Sequence, residues 1–420
     1  MLSKSSILRT SGGLSTKRTM ARFLSTTEAS GLKVSSIEDS RPVSEISLVV
    51  RAGSRYEPKH ADGVAHYLEK FAYKNTQARS GLRLTRESEL LGGQLSSSLT
   101  RENLILTAKF LREDLPYFVN ALGDVVENTI YNKYELDEEV APLAKLEYEL
   151  AHSTSSAYVA LEAAHQVAFH TGLGNSILSH PLNPVSIDAI KNYAREAYAK
   201  ANIQIVARGI DESDLSALIG SSKLSSLSAG SPLETPSTSV HSGEARIRAA
   251  PGNVNAVVIA FPTTGSSAAN SILAQHLGTA VHSVKWSLGG STPLGVAGRK
   301  TGTTIYATNA AYSDASLLYL TVEGPTAAAA KAGAIEAVNA LKAVAATELT
   351  SEQLTRATAK AKFANAEALE SSLSTVITPA VDTSITAATL KETAAALTSG
   401  KVALAVVGQV TELPYLDELF

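Results

Sequence analysis

The chain has 420 residues, enough for two or more domains and a large core. Hydrophobic residues make up 44% and charged residues 18%, the balance of a folded globular protein rather than a disordered one. A net charge of −3 with no basic block behind the N-terminus offers nucleic acid nothing to bind, and the absence of cysteine removes disulfides, thiolate metal sites and cysteine nucleophiles.

Residues 1–27 hold no Asp or Glu, while Lys4, Arg9, Lys17, Arg18 and Arg22 stand among many Ser and Thr. That basic, Ser-rich, acid-poor composition predicts a mitochondrial presequence over residues 1–24, with Arg22-Phe-Leu-Ser25 as the processing site and the cut after Leu24. Ser44-Glu-Ile46-Ser-Leu48-Val-Val50 alternates apolar and polar residues and runs to Gly53. It predicts a strand leading into a helix that carries His66. Gln94 to Phe110 is a second β-rich run. Asp114 to Asn128 places Leu115, Phe118, Val119, Leu122, Val125 and Val126 at helical spacing. Asp137 to Leu150 predicts a helix whose Asp137, Glu138 and Glu139 favour its N-terminal dipole. Tyr158 to His170 and Ile187 to Tyr198 continue helical, and Ile203 to Ala207 reads as a strand.

Residues 221–243 turn rich in Ser, Pro and Gly, the composition of an interdomain linker. Such a linker would let two half-shells close over a concavity while burying little surface against each other. The second half then repeats the first. Val254 to Phe261 predicts a strand and Ser267 to Leu277 the helix after it; Thr303 to Thr308 and Leu317 to Val322 are strands. Helices follow at Ala327 to Ala345, Glu352 to Leu369 and Ala388 to Leu397, and the strand Val402 to Val407 closes the half. The expected fold is α+β: two homologous domains, 25–220 and 244–420, each a mixed β-sheet with helices packed against it. No run of about 18 apolar residues occurs, so no helix is expected to cross a membrane.

Chemistry concentrates in Gly63-Val-Ala-His66-Tyr-Leu-Glu69-Lys70. On a helix His66, Glu69 and Lys70 share one face. The spacing is that of the inverted zinc-protease pattern His-x-x-Glu-His, in which two histidines bind zinc and the glutamate activates water. Lysine stands where the second histidine would be. A protonated amine has three donors and no lone pair, so it does not ligate a metal. Lys70 is instead expected to pair with a carboxylate. The second half has Ser271-Ile-Leu-Ala-Gln275-His276 at the corresponding place and no metal pattern.

Two other features stand out. Ser287 to Gly302 is glycine-rich, but Arg299 precedes Lys300 where a P-loop needs glycine. It reads as a mobile surface loop. His152, His165, His170, His180 and His282 form no short metal spacing and read as structural or solvent-facing.

At Gly63, Ala65, His66, Glu69 and Thr76 the chain resembles the M16 metallopeptidase family, which includes the mitochondrial processing peptidase subunits. The family's third zinc ligand is a glutamate on a later helix, and Glu147 stands at the matching distance. The resemblance thus implies a vestigial site of His66, Glu69, Lys70 and Glu147, with no metal, no cofactor and no catalytic residue. Tyr312-Ser-Asp314 and the C-terminal Gly408 to Leu419 resemble the core-protein branch of the family, found in mitochondrial ubiquinol–cytochrome c oxidoreductase, complex III. That branch implies a structural, matrix-side subunit, peripheral to the inner membrane. It pairs with a homologous core protein one and contacts other complex III subunits. The glycine-rich run leaves a second reading, the non-catalytic α subunit of the processing peptidase.

Overall fold

The computed structural model describes residues 24–38, 41–249, 254–265, 268–280, 290–368 and 384–420. The presequence reading apart from Leu24, His282, Ser267, Leu369 and residues 287–289 lie outside the described residues.

Leu24–Ala29 (β1) and Leu32–Ile37 (β2) form an antiparallel hairpin whose two-residue turn puts Ser30 and Gly31 in the left-handed region. Val43–Val50 (β3) leads to Val64–Phe71 (α1) and Gly81–Leu90 (α2), then Gln94–Leu99 (β4), Leu104–Leu111 (β5) and Leu115–Asn128 (α3). The helix expected from Asp137 begins earlier. Lys133–Glu135 (α4) opens it under an Asn132 cap, a widened π turn spans Leu136–Val140, and Ala141–Thr154 (α5) completes it. Pro142 lacks the N–H that a regular turn would send back, which accounts for the widening there. Ser156–Phe169 (α6), Ile187–Ala197 (α7), Ile203–Arg208 (β6) and Glu212–Ser221 (α8) finish the first half. The second half runs Gly243–Arg248 (β7), Asn255–Thr264 (β8), Ala268–Leu277 (α9), Pro293–Thr301 (α10), Thr304–Ala311 (β9) and Ala315–Gly324 (β10). It ends with Ala327–Ala346 (α11), Ser351–Ala368 (α12), Ala387–Ser399 (α13) and Ala403–Gly408 (β11).

The two sheets share one plan. The first has the order β1-β2-β6-β3-β5-β4 and the second β7-β11-β8-β10-β9. In each, the strand that opens the shared plan, β2 or β7, pairs parallel with the last strand of its half, β6 or β11. The remaining pairs are antiparallel. The expected duplication of a mixed-sheet α+β unit is therefore present, with β1 as an extra edge strand in the first half.

Apolar alternation decides which face each strand buries. Ile46, Leu48 and Val50 of β3 join Leu104, Leu106 and Ala108 of β5 against Val64, Leu68 and Phe71 of α1 and Phe118 and Leu122 of α3. Strand β8 is apolar without alternation because both its faces are covered. Val257, Ile259 and Phe261 face the core of α9, α11 and α13, whereas Ala256, Val258 and Ala260 face α6 of the first half. Ala160, Ala163, Ala164 and Ala168 let α6 approach that sheet closely.

This packing overturns the expectation that the halves bury little surface on each other. The run 221–243 is not a free tether either. Leu224 and Leu227 are buried in the first core. Residues 228–242 have no regular secondary structure but are fastened along their length. Asn202 Nδ2 donates to Ser231 O, Arg51 Nη2 to Thr235 Oγ1, and Lys401 Nζ to Val240 O. The glycine-rich run also differs from the loop expected. Thr292 accepts from Gly295 N–H as a cap, Pro293 starts α10 and left-handed Gly302 ends it.

Candidate functional site

Helix α1 starts under two constraints. Gly63 takes φ +88°, and a Cβ there would lie 2.5 Å from Ser179 Cβ, so the position admits only glycine without rearrangement. The orphan amides of the first turn go to Glu57, whose two oxygens accept from Gly63 N–H at 2.9 Å and Ala65 N–H at 2.8 Å. Burial pushes the Glu57 carboxyl up to about 8, against the pull of these two bonds. Beyond Ala72 the chain leaves the helix through Tyr73 at φ +64°. The Tyr73 hydroxyl donates to Ser96 O and Thr107 O and so anchors that end to the sheet.

Helix α1 then presents His66, Glu69 and Lys70 toward Glu147 on α5. Ser179 backbone N–H donates to His66 Nδ1 at 3.1 Å, so that nitrogen carries the lone pair. The ring proton sits on Nε2, which donates to Glu147 Oε2 at 3.0 Å. Lys70 Nζ donates to Glu147 Oε1 at 2.6 Å and lies 2.7 Å from Glu69 Oε2. The second Glu69 oxygen accepts from Ser97 Oγ on β4 at 2.5 Å. His66 and Glu69 are buried, Lys70 nearly so, and Glu147 is 34% exposed.

Electrostatics follow from these contacts. Burial holds the His66 ring below its usual range, and the Lys70 charge adds to that against the pull of Glu147. Burial lowers Lys70, but the bonds to Glu147 and Glu69 outweigh it and the ammonium is held above its usual value. Burial raises Glu147, but Lys70 and His66 outweigh it and the carboxyl falls below the usual range. Each group is thus held in one state: neutral His66, charged Lys70 and ionised Glu147.

The four residues singled out in the sequence meet at one place. Ligand atoms of His66, Glu69 and Glu147 lie within 4.8 Å of one another. Thr76 stands apart. It closes a turn by accepting from Arg79 N–H and donating to Arg79 O. Ser179, Glu57 and Ser97 were missed, and no motif marks them. Ser179 reaches His66 from 113 positions away. A cleft of about 1010 Å³ in the first half, closed on one side by the run 228–242, is lined by Arg55, Glu57, Tyr148, His152, His180 and Pro236, and none of the four site residues lines it.

Four of the other histidines that the sequence singles out make packing or hydrogen-bond contacts. His165 is buried, donates through Nδ1 to Leu161 O and meets Tyr312 Oη at 2.8 Å. His152 stacks on Tyr148, whose edge meets His180, and His170 stacks on His241.

Residues 33–180 match the family model Insulinase (Peptidase family M16), and residues 184–360 match Peptidase M16 inactive domain. The chain is 43% identical over 415 residues to the mitochondrial cytochrome b-c1 complex subunit 2 of Yarrowia lipolytica, covering 95% of this chain and 97% of that one. It is 35% identical to the protein of the same name from Cryptococcus neoformans over the full length of both. A mitochondrial-processing peptidase subunit alpha from Solanum tuberosum matches at 32% over 192 residues, 45% of this chain and 38% of that one. The chain belongs to peptidase family M16.

Proposed function

We propose that this chain is core protein two of mitochondrial complex III, a non-catalytic structural subunit supporting assembly and stability of the ubiquinol to cytochrome c electron-transfer complex. Full-length similarity to subunits named for the cytochrome b-c1 complex supports this assignment. No helix among the described residues is long and apolar enough to cross a membrane, which agrees with peripheral attachment. In this reading the chain sits on the matrix side and pairs with a homologous core protein one. Residues 1–24 are the presequence removed on import, and the two M16-like domains are 25–220 and 244–420, joined by 221–243.

The observation that carries the non-catalytic reading is the ammonium of Lys70, within 2.7 Å of both Glu69 and Glu147. A catalytic zinc takes three protein ligands and keeps an open position. Here Lys70 stands in place of a histidine ligand and supplies no lone pair. Its charge already neutralises the carboxylates, and His66 Nε2 carries a proton rather than a free pair. These residues do not fit the metal.

The alternative, a processing-peptidase α subunit, rests on the glycine-rich run, most of which is helix α10. Blue-native electrophoresis of mitochondrial extracts separates the two. Comigration with cytochrome subunits is expected; comigration with a soluble peptidase heterodimer would overturn the assignment.

A further inference from the structure

We propose that the turn Tyr312-Ser313-Asp314 is a latch that the first half grips, fixing the two halves and the strap 228–242 as one rigid body, with Arg55 as its keystone.

Every residue of the turn is held by a side chain from the first half. Tyr312 Oη meets His165 Nε2 at 2.8 Å. His165 Nδ1–H is committed to Leu161 O, so Nε2 accepts and the tyrosine hydroxyl donates. Ser313 backbone N–H lies 3.2 and 3.1 Å from the two Glu102 oxygens, and Ser313 Oγ donates to Glu102 Oε1 at 2.6 Å. Asp314 takes both arms of the Arg55 guanidinium, at 2.7 and 2.6 Å. The Arg55 side chain has no exposed surface, and Nη1 also donates to Glu102 at 2.7 Å.

The same guanidinium captures the strap. Arg55 Nη2 donates to Pro236 O at 3.2 Å and Thr238 Oγ1 at 2.9 Å, and the Thr238 hydroxyl donates to Asp314 Oδ2 at 2.8 Å. Three segments distant in sequence therefore meet on the Arg55 cation: residue 102, residues 236 and 238, and residues 313 and 314.

Why a latch is needed follows from the rest of the interface. Helix α6 meets the second sheet through alanines together with Val159 and Phe169, and apolar contact is non-directional. Such a face holds the halves together with no directed bond of its own. A planar, two-pronged guanidinium–carboxylate pair fixes both distance and angle.

Hydrogen exchange on the full chain tests this. Asp314→Asn keeps shape and removes the charge. Amides of the strap and of residues 312–314 should exchange about tenfold faster or more, with amides of α1 and β3 unchanged. Strap exchange within about twofold of wild type would overturn the latch, and so would an equal rise throughout both cores. If Asp314→Asn does not fold, Thr238→Val removes one hydroxyl only. It should raise strap exchange by about threefold or more, and no change there would likewise overturn the proposal.

Discussion

Helices α1 and α9 follow corresponding strands, β3 and β8, in sheets of the same order, and each ties itself to its edge strand. In the first half Ser97 of β4 donates to the Glu69 carboxylate. In the second, Asn309 of β9 donates to the Ser271 hydroxyl at 3.0 Å. The fold therefore accepts a neutral pair at this place. The charged pair in the first half brings a second carboxylate, Glu147, and hence a need for a cation. Lys70 meets that need, so α1 depends on an ion cluster, and among the described residues α9 has none.

The largest expected difference between the two helices lies in how the chain leads into them. Each is approached through a left-handed glycine, Gly63 at φ +88° and Gly265 at φ +82°. A Cβ on Gly265 meets nothing within 4 Å, whereas one on Gly63 collides with Ser179. Gly265→Ala should cost about 1 kcal/mol from backbone strain alone. Gly63→Ala adds the collision and displaces the group that holds His66, so about 3 kcal/mol or more is expected. Equal losses in denaturant titrations would mean that Ser179 moves aside freely and that the His66 ring is not rigidly held.

The next contrast is between the clusters themselves. Lys70→Ala leaves Glu69 and Glu147 facing each other without a cation. With Glu147 a third exposed and partly screened, the loss should be about 1–2 kcal/mol. Ser271→Ala removes one neutral hydrogen bond and should cost about 0.5–1 kcal/mol. A Lys70→Ala variant with unchanged melting temperature would leave the two helices alike and remove the argument that the lysine replaces a cation's charge.

Much of this was legible in the sequence because it is local or periodic. The strand patterns marked β3 to β6 and β8 to β11 but not β1, β2 or β7, and the one-face spacing of His66, Glu69 and Lys70 marked the cluster to which Glu147 belongs. What escaped depends on contacts between distant segments. Nothing near Ser179 signals that it faces His66. Nothing in the Ser-rich run 221–243 signals that Arg51, Arg55, Asn202 and Lys401 fasten it. Composition reads polarity, and a polar strap pinned by buried donors has the composition of a free linker. The glycine-rich run misled for a different reason. Gly295 and Gly298 lie inside a helix whose cap Thr292 and stop Gly302 were both present, but glycine content outweighed them.

Acid should loosen the first half's cluster, while in the second half it reaches α9 through His276, which burial holds below its usual range. His66 is held below the ordinary value near 6.5, so its contribution is full above that pH and declines as pH falls through the lower folded value. Glu147 is held below the ordinary value near 4.3, so its contribution is lost further down, as pH falls toward its folded value. Lys70 is raised, so its contribution holds until pH climbs past about 10.4. The cluster should be at full strength between about pH 6.5 and 10.4. The stability difference between wild type and Glu147→Gln isolates it from other titrating groups such as Glu57. That difference should be flat across the window and grow by less than about 1 kcal/mol as pH is lowered to 5, because Glu147 favours the proton on His66 and the variant lacks that pull. A difference that shrinks over that range has the wrong sign for a His66 whose proton an ionised Glu147 favours.

The smallest expected effect is zero, and it separates a charge cluster from a metal site. His66, Glu69 and Glu147 bring three ligand atoms close enough for a cation, and among the described residues α9 and its surroundings do not. For zinc to enter, the Lys70 ammonium would have to leave both carboxylates or give up its proton, against a pKa raised by those carboxylates. His66 would have to shift its proton to Nδ1, turning it toward the Ser179 N–H that now donates there. Both changes oppose binding, and neither is offset by a third neutral ligand. Wild-type protein should therefore carry no stoichiometric zinc by elemental analysis, and its melting temperature should be the same with added zinc as with chelator. Zinc that survives dialysis against chelator, and is lost on His66→Ala, would mean that the ammonium yields its place to a metal and that the first half kept more of its relatives' chemistry than its contacts indicate.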